Sequence, residues 1–169
     1  MVDKRTLEFI LTDQQEEMES RAEEALCQRR EETLIDFKST QAQVVIGVRR
    51  SGKSTLCYQA MHNHSLKFAY ADFDDKRLVD LKANQLNDVL EILYKIYGDF
   101  LYLFLDEIQN VVGWHLFNHG KTKSATLQKR NVIFGCKNEM RQKTEKATRK
   151  SGFYHVQTAF EQHSKEQYI

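Results

Sequence analysis

The chain has 169 residues, 41% hydrophobic and 29% charged, with a formal net charge of +1. That length suits one domain with a sizeable buried core, and that composition excludes a disordered chain. The sequence has no apolar run long enough to cross a bilayer and no secretory leader at its start, so no membrane association is expected. Cys27, Cys57 and Cys136 are odd in number and far apart. They offer no disulfide framework and suit a reducing, cytoplasmic setting.

The elements follow in chain order. Residues 5–30 predict a helix, apolar at Leu7, Ile10 and Leu11 and then thinning to a narrow stripe at Met18, Ala22, Ala25 and Leu26. A second short helix is expected over 31–37. The β-branched run at 43–46 ends in Gly47 and reads as a buried strand. Residues 53–62 predict a helix, and 65–73 hold a second strand. Leu86, Val89, Leu90, Leu93 and Ile96 recur at helical spacing within 85–97, and Gly98 breaks that helix. The six apolar residues at 100–105 are too few for a free helix and suit a central parallel strand. Further strands are expected at 131–134 and 153–156, with a basic helix at 138–150. Strands alternating with helices predict a parallel sheet covered on both faces.

Residues Gly47, Val48, Arg49, Arg50, Ser51, Gly52, Lys53 and Ser54 match G-x-x-x-x-G-K-[ST] at every fixed position, the phosphate-binding Walker A pattern. The predicted strand before it and helix after it are the setting that chemistry needs. Gly47 is expected to let the chain leave the strand at backbone angles closed to other residues. Gly52 lets the backbone approach phosphate oxygens, while the loop amides and the helix N-terminus face the anion. Lys53 reaches the β- and γ-phosphates, Ser54 puts a hydroxyl on Mg²⁺, and Thr55 adds an α-phosphate contact. The apolar strand at 100–105 then delivers Asp106 and Glu107, a Walker B pair, to the carboxyl end of the sheet. Asp106 is expected to bind Mg²⁺ through water, and Glu107 to act as general base on the attacking water.

Other groups carry weaker signals. His115 and His119 have the spacing of a helical metal pair, but no third ligand follows, and a surface role is the favoured reading. Trp114 is expected to anchor the loop after the acidic strand rather than stack on a base. Asp72, Asp74 and Asp75 form an acidic cluster, read as a solvated loop near the phosphate site in preference to a metal site. Between 118 and 150 there are ten Lys or Arg against Glu139 and Glu145. A solvated helical face is favoured for this stretch, with nucleic-acid binding as the alternative.

These motifs resemble those of a bacterial and archaeal AAA-type P-loop ATPase family. Its loop reads G-V-R-R-S-G-K-[ST]-T-L, matched here by 47–56. Its second strand reads like Y-I-N-F-D-D-x-R-L, similar to 70–78, and its F-L-D-E-I-Q-N-V-x-G-W is similar to 104–114. The resemblance spans about 35–117 and implies ATP, Mg²⁺ and assembly with further copies or a protein partner. Beyond 117 the sequence departs from the family pattern. Gly135, Cys136 and Lys137 stand where the family has G-S-N, whose polar groups sense the γ-phosphate, and Lys137 offers a substitute contact. Phe153 replaces a family arginine. The family continues into a helical lid and a further domain, so a truncated or decaying member is expected.

The expected architecture is therefore α/β, a P-loop NTPase-like parallel sheet of about five strands with flanking helices. A helical arm at 1–38 precedes a core at 39–158 and a tail at 159–169. The expected function is Mg²⁺-dependent ATP binding and hydrolysis. Glu107 and Lys53 are the candidate catalytic residues, 47–55 the nucleotide loop, and Ser54 and Asp106 the metal ligands. The rivals are a nucleotide-binding switch or remnant without turnover, and a nucleic-acid binder using 118–150.

Overall fold

Alternating strand and helix signals become a three-layer sandwich. A computed structural model describes residues 2–21, 30–39, 42–47, 50–114, 131–137 and 154–158. In chain order the elements are α1 (Lys4–Arg21), β1 (Ala42–Gly47), α2 (Lys53–Asn63), β2 (Phe68–Asp72), α3 (Leu86–Tyr97), β3 (Tyr102–Asp106), β4 (Asn131–Lys137) and β5 (Tyr154–Thr158). The strands form one parallel sheet in the order β2-β3-β4-β1-β5. Among the described residues its five strands meet the expected number.

Strict alternation along the strands divides the core in two. Val44 and Ile46, Ala69 and Ala71, and Leu103 and Leu105 pack with α1 and α3 on one face. Val45, Tyr70, Phe104 and Ile133 pack with α2 on the other. Such near-continuous apolar strands are what a sheet covered on both faces demands. Trp114 is buried in the first cluster, where it anchors the turn after β3.

Helix α1 is more than a cover for one face. Asp3 caps its start by accepting from the backbone N–H of Arg5 and Thr6. Leu7, Ile10 and Leu11 sit in the α3-side cluster, whereas Met18 sits in the α2-side cluster. The helix thus crosses the edge strand β2 from one face of the sheet to the other. At the crossing the buried Gln14 amide donates to the Asp72 carbonyl at 2.9 Å and accepts the Asp72 N–H at 3.0 Å. A side chain here satisfies backbone groups that an open sheet edge would leave unpaired.

The helix expected over 5–30 is present from Lys4 to Arg21, residues 22–29 lie outside the described residues, and Arg30 already belongs to a 3₁₀ turn, Arg30–Leu34. The short helix expected over 31–37 is that turn. The reason lies in Gln43 of β1, whose amide accepts the Asp36 N–H at 2.8 Å and donates to the Asp36 carbonyl at 2.7 Å. Backbone groups that would extend a helix are tied to the strand instead. The helix expected at 138–150, and His115 and His119, lie outside the described residues. No helix among the described residues is long and apolar enough to cross a membrane.

Phe104 is fully buried in the middle of β3. Phe104→Ala is expected to cost about 3–5 kcal/mol, whereas Val112→Ala, at a position 82% exposed, is expected to stay within about 0.5 kcal/mol. Chemical denaturation of the two variants checks the contrast.

Candidate functional site

The carboxyl ends of the strands bring the sequence candidates together. Arg50, Gly52, Lys53, Ser54, Thr55, Asp106 and Glu107 line one cleft of about 370 Å³, joined by Asp72, Asp74 and Arg21. Of the loop candidates, Val48 and Arg49 lie outside the described residues. Gly47 is still in strand register, opposite Lys137 of β4. Among the described residues of the loop, left-handed backbone falls on Arg50 (φ 62°) and Gly52 (φ 79°). Gly52 then caps α2 and aims that helix's N-terminus into the cleft.

Asp106 ends β3, between Asp72 on β2 and Gly135 on β4 in strand register. A Cβ on Gly135 would stand 2.1 Å from Asp106 Oδ1. The carboxylate therefore lies over β4, toward the phosphate loop, in space that exists because residue 135 has no side chain. Asp106 is 3% exposed, accepts the Glu107 N–H at 3.1 Å and accepts from the Ser54 hydroxyl. Burial pushes its pKa up to about 6, with the Asp72 and Glu107 charges adding to the rise and Ser54 and Lys53 opposing it. The folded state thus holds this proton more tightly than the unfolded chain. Its contribution favours folding below about pH 4 and is lost as pH rises through about 6. A buried, charged carboxylate beside a hydroxyl is a hard-oxygen donor set that a divalent cation would relieve.

Glu107 follows at φ 50°, ψ 34°, a left-handed conformation rare for glutamate. Continued extension would send its side chain to the face opposite Asp106; the left-handed turn brings both carboxylates into the cleft. The Glu107 N–H is held by the Gly135 carbonyl at 2.8 Å. Its carboxylate lies 3.8 Å from Lys53 Nζ and accepts from the Gln109 amide. Lys53 and Glu107 are both largely buried, at 4% and 9% exposure. Of three non-glycine residues with positive φ among those described, Arg50 and Glu107 line this cleft, and strained backbone concentrates at working sites.

The acidic cluster after β2 is split. Asp72 and Asp74 line the cleft, and Asp72 is raised in pKa chiefly by burial. Asp75 instead caps the next 3₁₀ turn and pairs with Arg77 at 2.7 Å. Among the described residues no three acidic, histidine or cysteine side chains form a metal cluster. Cys57 is buried, and burial drives its thiol pKa upward, which excludes a thiolate nucleophile there.

A family model described as "AAA domain" matches residues 39–160. The chain belongs to the AAA domain family. It is a nucleotide-binding P-loop protein of that family. An uncharacterized protein of Methanocaldococcus jannaschii is 39% identical over 75 residues, which is 44% of this chain and 17% of that relative. A DNA replication initiation factor covers 70% of this chain at 18% identity and TM-score 0.43. An AMPPCP-bound DnaA from Aquifex aeolicus covers 69% at 16% identity and TM-score 0.40. The chain spans 40% of each of those two structures and 17% of the archaeal relative.

Sequence reading missed Gln14, Arg21, Gln109 and Gly135. The first two continue the apolar stripe of α1, at Leu7, Leu11, Gln14, Met18 and Arg21, so the spacing carried a signal that polarity hid. A methyl at residue 135 collides with the Asp106 carboxylate oxygen Oδ1 rather than with the core. Gly135→Ala is accordingly expected to lower nucleotide affinity in the presence of Mg²⁺ by roughly tenfold or more, with little change in melting temperature. Titration calorimetry of both proteins checks this; wild-type affinity in the variant would contradict the geometry.

Proposed function

We propose that this AAA domain binds ATP with Mg²⁺ and hydrolyses it to ADP and phosphate. The observation that carries the reading is the convergence of Lys53, Ser54, Asp106 and Glu107 on one cleft at the N-terminus of α2. The loop from Gly47 to Thr55 takes the phosphate chain through its amides and the positive helix end. Ser54 and Asp106 would hold Mg²⁺, and the ion when bound supplies charge opposite the phosphate oxygens.

Lys53 and Glu107 explain the order of events. Their ion pair at 3.8 Å ties up both the phosphate-binding cation and the candidate base. A phosphate chain competes for the ammonium, because it offers more charge than one carboxylate. Transfer of Lys53 to phosphate releases Glu107, which the Gln109 amide keeps oriented. Glu107 then accepts hydrogen from a water and aligns it for in-line attack on the γ-phosphorus. The bond to the bridging β-γ oxygen breaks, ADP leaves with that oxygen, and the water proton passes through Glu107 to the product phosphate.

A second reading, nucleotide binding without turnover, is favoured by the end of β4. There Gly135-Cys136-Lys137 replaces the polar pair that the family resemblance leads one to expect. Turnover of radiolabelled ATP separates the two. Wild type is expected to hydrolyse ATP, and Glu107→Gln to lower the rate about 10²–10⁴-fold while still binding ATP. No wild-type turnover above background with Mg²⁺ present would leave binding alone. Of the basic stretch at 118–150 only β4 lies within the described residues.

A further inference from the structure

The cleft has cations on two sides, and one of them comes from outside the P-loop. Arg50 and Lys53 approach from the loop after β1, whereas Arg21 approaches from the last position of α1, across β2. Arg21 also borders a smaller cavity of about 180 Å³ with Gln14, Glu17, Met18, Tyr70 and Asp72. The two cavities share Arg21, Asp72 and Asp74, so the arginine stands where the phosphate cleft opens toward the edge strand.

Its placement follows from the helix. Seven residues, about two turns, separate Gln14 from Arg21, which keeps them on one face. Gln14 is fixed to both backbone polar groups of Asp72, the strand neighbour of Asp106. Arg77 ties the same segments together a second time, through Asp13 at 2.7 Å and Asp75 at 2.7 Å. The arm is thus held to the acidic end of the site, and Arg21 is the cation it brings there. Asp72, Asp74, Asp106 and Glu107 surround that end, so a phosphate held there needs positive charge from the β2 side.

Arg21 is paired with Glu17 at 2.7 Å, with side-chain exposures of 43% and 66%. An exposed i,i+4 pair is weak and easily exchanged. A phosphate group accepts arginine's forked donors and carries more charge than Glu17. We propose that Arg21 is a phosphate-sensing residue, which exchanges Glu17 for the terminal phosphate of a bound nucleoside triphosphate. The N-terminal helix then discriminates triphosphate from diphosphate, and Gln14 positions it to do so. This rests on the nucleotide-binding reading above.

The test is competition of ATP and of ADP against a fluorescent ADP analogue, with Mg²⁺, on the full chain and its variants. Arg21→Ala is expected to weaken ATP roughly tenfold to a hundredfold while ADP stays within about twofold, and Arg21→Lys to restore part of the preference. Glu17→Gln, which frees the arginine, is expected to strengthen ATP binding. The melting temperature of Arg21→Ala checks that the fold is intact. An unchanged ATP-to-ADP ratio in Arg21→Ala, alongside lost binding in Lys53→Ala, overturns the inference and leaves the nucleotide reading standing. Wild-type binding by Lys53→Ala overturns both.

Discussion

The carboxylate of Asp106 occupies the space over β4 that any side chain at residue 135 would fill. The rest of the site is arranged around that one placement. Setting β4 between β1 and β3 puts a glycine beside the acidic strand and the phosphate loop one strand further on. The carboxylate can then lean toward Ser54 rather than toward Asp72. Burial makes its charge costly, as the pKa of about 6 records, and that cost is what a bound cation would offset. The Gly135 carbonyl also holds the Glu107 N–H, so the same glycine backbone sets the left-handed turn that aims the candidate base.

The second constraint is the edge of the sheet. β2 is the strand that carries Asp72 to the cleft, and among the described residues it ends the sheet, paired only with β3. Helix α1 supplies one side-chain amide at that edge. A helix fastened at Asp72 cannot shift without disturbing the strand neighbour of Asp106 at the acidic end of the cleft.

Much of this was legible in the sequence, for physical reasons that differ by element. β3 and α3 announced themselves because a parallel strand buried on both faces is continuously apolar, and an amphipathic helix repeats every three or four residues. The loop and the acidic pair were legible because phosphate chemistry fixes residue type at fixed spacing. What stayed hidden were contacts made by polar side chains with distant backbone. Gln14 on Asp72 and Gln43 on Asp36 leave no periodic mark, and the second of these turned an expected helix into a 3₁₀ turn. Gly135 read as a mere departure from a familiar pattern, although its lack of a side chain makes room for the Asp106 carboxylate.

The central claim is that the cleft at the N-terminus of α2 takes a nucleoside triphosphate through Lys53. Thermal or chemical denaturation with ATP and Mg²⁺ tests it most directly. At a ligand concentration a hundredfold above Kd, wild type should gain about 2.7 kcal/mol of stability, and Lys53→Ala should gain almost none at the same concentration. No gain in wild type, or an equal gain in both proteins, would contradict the account.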